Sequence, residues 1–85
     1  SNTSQDITPQ EDDSFIIDGT ITIRELNKAL DFDLPTSGPK TFSGLIIESL
    51  ESIPENNVCL KIENYRIEIL KVRANTIKSA KICKV

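Results

Sequence analysis

The chain has 85 residues, 38% of them hydrophobic, with 10 Lys and Arg against 13 Asp and Glu for a net charge of −3. That is one domain, too rich in Ile, Leu and Val for a disordered chain and without an apolar run long enough for a membrane span. It has no His, which removes the commonest general base and metal ligand, and no Met, so it is expected to be a piece of a longer protein.

Residues 1–13 carry Asp6, Glu11, Asp12 and Asp13, no base, and Ile7 as the one aliphatic anchor. They are expected to be a disordered acidic linker or tail, dispensable for stability, ahead of a domain over 14–85. Cys59 and Cys83 are too few for a disulfide scaffold and lack C-x-x-C spacing. They read as free thiols on the polar parity of strands, hence partly exposed.

Ser14-Phe15-Ile16-Ile17-Asp18 predicts a strand, closed by the turn dipeptide Asp18-Gly19. Thr22 then caps a helix. Glu25 completes a capping box, and Ile21 and Leu26 flank it as a hydrophobic staple. Ile23, Leu26, Asn27 and Leu30 recur at helical spacing, an apolar stripe interrupted by Asn27. The helix is expected to end near Leu30 or Asp31. The segment 31–40, with Pro35, Ser37, Gly38 and Pro39, reads as a loop pinned by Phe32 and Leu34.

Thr41 caps a second helix, with Phe42, Leu45, Ile46, Ser49, Leu50 and Ile53 on one face and Pro54 as its stop. Gly44 costs about 1 kcal/mol relative to Ala inside a helix, so it needs a reason. Close approach of another backbone is the simpler one; phosphate binding at the helix start is the sharper one.

Glu55-Asn56-Asn57 is a turn, after which the period changes to two. Val58, Leu60 and Ile62 alternate with Cys59, Lys61 and Glu63 as a half-buried strand. Asn64-Tyr65 reads as a hairpin turn or its shoulder. Tyr65, Ile67 and Ile69 continue the apolar face, and a parity slip predicts a β-bulge near Leu70-Lys71. After a turn at Ala74-Asn75-Thr76 the last strand runs from Ile77 to Val85, with a second slip after Ile77. The order is β-α-α-β-β-β. This predicts an α+β domain, two helices on one face of a mostly antiparallel sheet ending in a three-stranded meander.

Residues 58–85 hold seven bases and two acids. Such a block attracts nucleic acid, anionic lipid or an anionic cofactor, but solvent-facing strands also use Lys and Arg simply to guard their edges. A nucleic-acid groove wants aromatics among the bases, and only Tyr65 offers one, so no nucleic-acid partner is expected. Asp31 and Asp33 with Glu51 or Glu55 fall short of a calcium loop and read as solvated carboxylates. Ser37, Ser43 and Ser49 have neither a His nor a Gly-x-Ser-x-Gly elbow. No motif carries catalysis or a metal, and the chain is not expected to be an enzyme.

Taken in order, Phe15-Ile16-Ile17-Asp18-Gly19, Thr22-Ile23-Arg24-Glu25-Leu26-Asn27, Thr41-Phe42-Ser43-Gly44-Leu45-Ile46, Ile53-Pro54 and a hairpin resemble the CorC/HlyC transporter-associated domain over about residues 14–83. Asp18, Gly19, Gly44, Leu45 and Pro54 match that family's motifs. With the capping pair Thr22 and Glu25 they are read as structural, and the family offers no catalytic residue to carry over. Where the family usually has turn glycines, this chain has Asn56-Asn57, Asn64-Tyr65 and Ala74-Asn75.

The resemblance implies the C-terminal, non-catalytic accessory or regulatory domain of a haemolysin-like membrane protein linked to magnesium and cobalt efflux. A membrane-spanning domain and a pair of CBS domains would precede it and be its partners, a second copy being another. It would sit at the cytoplasmic face of the membrane without inserting. The fold is also similar to a subdomain of certain FAD-binding oxidoreductases, so the alternative is an FAD or adenine-nucleotide binding module. A dinucleotide diphosphate needs clustered backbone N–H groups at a Gly-rich turn or helix start. The best candidate is Thr41 to Gly44, where Phe42 would crowd the ligand, and no tightly bound FAD is expected. A secreted toxin, the third reading, fits poorly with two cysteines and a small core.

Overall fold

The computed structural model describes residues 6–85. Its elements are β1 (Ile7–Pro9), β2 (Phe15–Asp18), α1 (Ile23–Leu30), α2 (Phe42–Leu50), β3 (Cys59–Ile62), β4 (Tyr65–Arg73) and β5 (Thr76–Lys84). The strands form one sheet in the order β1-β2-β5-β4-β3, each neighbouring pair antiparallel. The predicted α+β class, the helix pair and the three-stranded meander are all present. The two helices carry the chain from β2, inside the sheet, to β3 at its far edge.

One face of the sheet is the core. Ile17, Ile67, Ile69, Ala80 and Ile82 are fully buried there, beneath Leu26, Phe42 and Ile46 of the helices. The opposite face has no helix on it and takes the alternate residues of each strand. The bulge falls where the parity slips. Ile69 faces Ala80, Lys71 faces Ser79 and Val72 faces Ile77, leaving Leu70 and Lys78 as the extra residue on each strand. Ala74 and Asn75 both have left-handed backbones, with φ of 51° and 62°, which gives the turn the twist a two-residue hairpin favours.

The local helix signals hold. Thr22 caps α1 by accepting the Glu25 N–H at 3.1 Å, and the Glu25 carboxylate returns to Thr22, completing the capping box. Ile21 and Leu26 both join the core. Asn27 does not interrupt the stripe idly: it accepts the Leu34 N–H at 2.9 Å and donates to the Leu34 carbonyl at 3.0 Å. Tyr65 adds a second clamp, its hydroxyl accepting the Asp33 N–H at 2.7 Å. These bonds, with the buried Leu34, hold the 31–40 loop.

Four expectations are corrected. The tail expected over residues 1–13 is not unordered where it is described: β1 pairs with β2, and Ile7 is buried. The hairpin behind it is closed by Gln10 N–H to the Ser14 carbonyl at 2.8 Å and by Asp12, which accepts from the Ser14 N–H and hydroxyl. Residues 1–5 lie outside the described residues. Second, α2 ends at Leu50, four residues before Pro54, because Glu51 turns left-handed with φ of 56° and its N–H closes on the Ile47 carbonyl. Third, Ile53 therefore leaves the helix face and is 74% exposed. Fourth, the turn between β3 and β4 is Glu63-Asn64, and Tyr65 is its shoulder, already in the ladder opposite Ile62. Cys59 is exposed and Cys83 half-buried, both free.

Candidate functional site

Six of the seven motif residues meet at one corner. Asp18 and Gly19 end β2, Thr22 and Glu25 open α1, and Gly44 and Leu45 lie at the start of α2. Pro54 is elsewhere, buried between α2 and β3. The corner is stitched by backbone bonds. Ile23 N–H reaches the Lys40 carbonyl at 2.8 Å, Phe42 N–H the Ile21 carbonyl at 2.9 Å, and Ser43 N–H the Gly19 carbonyl at 2.8 Å. The two cap residues, Thr22 and Thr41, form an isolated antiparallel bridge.

Gly19 is the glycine with a backbone against it. A Cβ there would collide with the Ile77 carbonyl oxygen. Gly44, expected to have that role, instead faces side chains: its Cβ would lie 3.0 Å from the Pro39 Cβ and 3.2 Å from the Thr41 hydroxyl oxygen. Leu45 is core. Asp18 anchors its turn by accepting the Thr20 N–H at 2.8 Å and hydroxyl at 2.6 Å. The Thr20 hydroxyl, then its N–H, hold the Asp18 carboxyl below the usual carboxylate range, with Lys78 adding attraction. Asp12 is held low in the same way by the Ser14 hydroxyl, then by the Ser14 N–H and by Lys81 at 3.4 Å. Carboxylates stabilised as anions serve these turns and are poor proton donors near neutral pH.

The start of α2 does not fit a dinucleotide diphosphate. Its first two N–H groups go to Ile21 and Gly19, and the third, of Gly44, goes to the Thr41 hydroxyl at 3.1 Å. No donor of that turn is left to point at a phosphate. Phe42, expected to crowd a ligand there, is fully buried and faces the core. At α1, Ile23 and Glu25 N–H groups are likewise taken, by Lys40 and Thr22.

Besides a depression of about 290 Å³ among Asp6, Thr8, Asp18, Lys71 and Lys78, two more lie among the described residues. One of about 450 Å³ lies between the α1 start and residues 36–40, with Arg24 and Lys40 at its rim. The other, of about 200 Å³, lies on the helix-free sheet face among Asp12, Cys59, Arg66, Glu68, Lys81 and Cys83. Among the described residues no three His, Cys, Asp or Glu side chains gather to hold a metal ion, so Asp31, Asp33, Glu51 and Glu55 are not brought together. No helix among the described residues is long and apolar enough to cross a membrane. Ser43, which has no nucleophile's partners in the sequence, is a structural residue. Its hydroxyl in fact accepts the buried Ile77 N–H at 2.9 Å, a partner no local pattern could reveal.

The signature of the CorC_HlyC transporter associated domain matches residues 8–85. The chain belongs to that family. This CorC_HlyC domain is 44% identical over 79 residues to the UPF0053 inner membrane protein YfjD of Escherichia coli K12, a match covering 93% of the chain and 18% of that protein. It is 42% identical over 81 residues to a UPF0053 protein of Haemophilus influenzae, covering 95% of the chain and 19% of the relative. The chain thus spans under a fifth of either relative's length. Among solved structures, a conserved protein of unknown function from Haemophilus influenzae Rd KW20 superposes with a TM-score of 0.89 at 42% identity, over 100% of both chains. The transporter associated domain of a Xylella fastidiosa Temecula1 hemolysin, in complex with Mg++ and Mn++, gives 0.81 at 28% identity, over 94% of this chain and 98% of that one.

Proposed function

We propose that the domain is a non-catalytic accessory module of a membrane ion transporter of the magnesium and cobalt efflux type, held at the cytoplasmic face by the rest of its parent protein. The observation that carries this reading is the match of 93% of the chain to 18% of an inner membrane protein. A module of this size is too small to be the transport path, so its work is contact. Its partners are the CBS pair and membrane domain of the parent, or a second copy. The Xylella hemolysin domain in complex with Mg++ and Mn++ supports divalent cations as the cargo class.

The same reading has no FAD in it. The donors at the α2 start are all committed to protein acceptors, as are Ile23 and Glu25 at the α1 start, so a diphosphate would have to displace them. Deleting residues 6–85 from the full-length parent tests the proposal. Cells are expected to lose tolerance to added cobalt or magnesium while the membrane domain still accumulates. Unchanged tolerance, or activity that requires bound flavin, would overturn it.

A further inference from the structure

The chain's charges divide between its two layers. The helix layer and its loops, residues 19–57, carry Arg24, Lys28 and Lys40 against six acids. The helix-free face of the meander carries the opposite sign. Strand alternation places Lys61 of β3, Arg66, Lys71 and Arg73 of β4, and Lys78 and Lys81 of β5 on or beside it, with Glu68 among them and Asp12 and Asp18 beside Lys81 and Lys78. Lys61, Arg66, Lys71 and Arg73 are exposed. Among the described residues the one ion pair is Lys81 with Asp12, at the side nearer β1, so no ion pair ties up the cations of β3 and β4.

We propose that this open face of β3, β4 and β5 docks peripherally on anionic lipid headgroups, with the acidic helix layer turned away. Guarding an edge requires charge on the edge strand alone, and here β4, paired on both sides, carries three of the cations. A single-stranded nucleic acid favours an aromatic platform, but Tyr65 is 5% exposed and lies on the helix-covered face, so the open face offers no aromatic ring to stack a base. An anionic bilayer surface asks only for a broad array of Lys and Arg, each strengthening binding by roughly fivefold. The match to an inner membrane protein puts such a surface within reach. The biological setting rests on the proposed membrane placement, but the test uses the 85-residue chain alone, so either can fail without the other.

Sedimentation with vesicles decides it. The chain is expected to bind phosphatidylcholine vesicles containing about one-third phosphatidylglycerol, to ignore phosphatidylcholine alone, and to bind more strongly at about 0.01 M than at about 0.15 M salt. The triple variant Lys61→Gln, Arg66→Gln, Lys71→Gln should bind about a hundredfold more weakly. Arg24→Gln, Lys28→Gln, Lys40→Gln, with the same change in net charge on the helix layer, should bind within about twofold of the parent. If the triple variant fails to fold by circular dichroism, Lys61→Gln alone should still weaken binding about fivefold. Absence of binding at low salt, equal binding to neutral vesicles, or equal loss in the helix-layer variant would overturn the proposal. So would tighter binding to a single-stranded oligonucleotide than to the vesicles. Release by inorganic phosphate at constant ionic strength would also overturn it, in favour of a discrete phosphate site.

Discussion

The Ser43 hydroxyl oxygen accepts the backbone N–H of Ile77 at 2.9 Å, joining the first turn of α2 to β5 across 34 residues of sequence. Ser43 is 8% exposed and Ile77 2%, so water cannot easily replace the bond. The neighbouring residue, Lys78, is the extra residue of the bulge, where the ladder offers less support. Ser43→Ala removes the acceptor and strands a buried donor, which costs about 1–3 kcal/mol. A urea melt of that variant should show a lower midpoint with an unchanged slope; a melt matching the parent would mean that the N–H finds another acceptor.

The two motif glycines should respond differently to the same substitution. Gly19→Ala drives a methyl into the Ile77 carbonyl, a backbone atom that cannot swing aside. Its cost should exceed about 2 kcal/mol. At Gly44 the neighbours are the Pro39 ring and the Thr41 hydroxyl, and Ala gains about 1 kcal/mol of helix propensity against their displacement. Gly44→Ala should therefore stay within about 1 kcal/mol of the parent. Parallel thermal melts check the contrast, and equal losses at the two sites would contradict it.

Ile7 gives the N-terminal strand its weight. Its side chain is buried although the segment around it is acidic and polar. Ile7→Ala should cost about 2 kcal/mol, at the low end for a core truncation because the strand is short and at the sheet edge. Removing residues 1–13 should lower the midpoint by more, since β2 would then expose its ladder and Lys81 would lose Asp12. Chemical denaturation of the shortened chain measures this directly, and an unchanged midpoint would return the segment to the status of a tail.

Acid should loosen the β2–α1 turn. The folded pKa of Asp18 lies below its ordinary value of 3.8, owing first to the Thr20 hydroxyl and then to the Thr20 N–H. A depressed carboxylate adds stability that is fully present above the unfolded pKa and is lost as pH falls through the folded one. Stability should therefore decline below about pH 4. Asp18→Asn should flatten part of that decline while lowering stability at neutral pH. An identical pH profile in the variant would show that the Thr20 bonds do not persist in solution.

The elements governed by neighbours within four residues were legible in the amino-acid order. Thr22 and Glu25 mark a helix start because a cap involves only its own turn, and the change from helical spacing to alternation at Val58 marks the meander for the same reason. The signatures that place the chain in the CorC_HlyC family are of this local kind. What depended on distant partners was not legible. β1 exists because the β2 edge was free to accept it, with a single Ile as anchor. Pro54 looked like the stop of α2, yet the helix had already closed when Glu51 turned left-handed. Gly19 and Gly44 are alike in sequence, and only the approach of β5 tells which one cannot carry a Cβ. Charge behaves similarly. The basic block over 58–85 is plain in the sequence, but alternation places its side chains on either face of a strand, and only the helices decide which face stays open. The packing of two helices on one side of the sheet buries Tyr65, Ile67 and Ile69 and leaves Arg66, Lys71 and Arg73 in water.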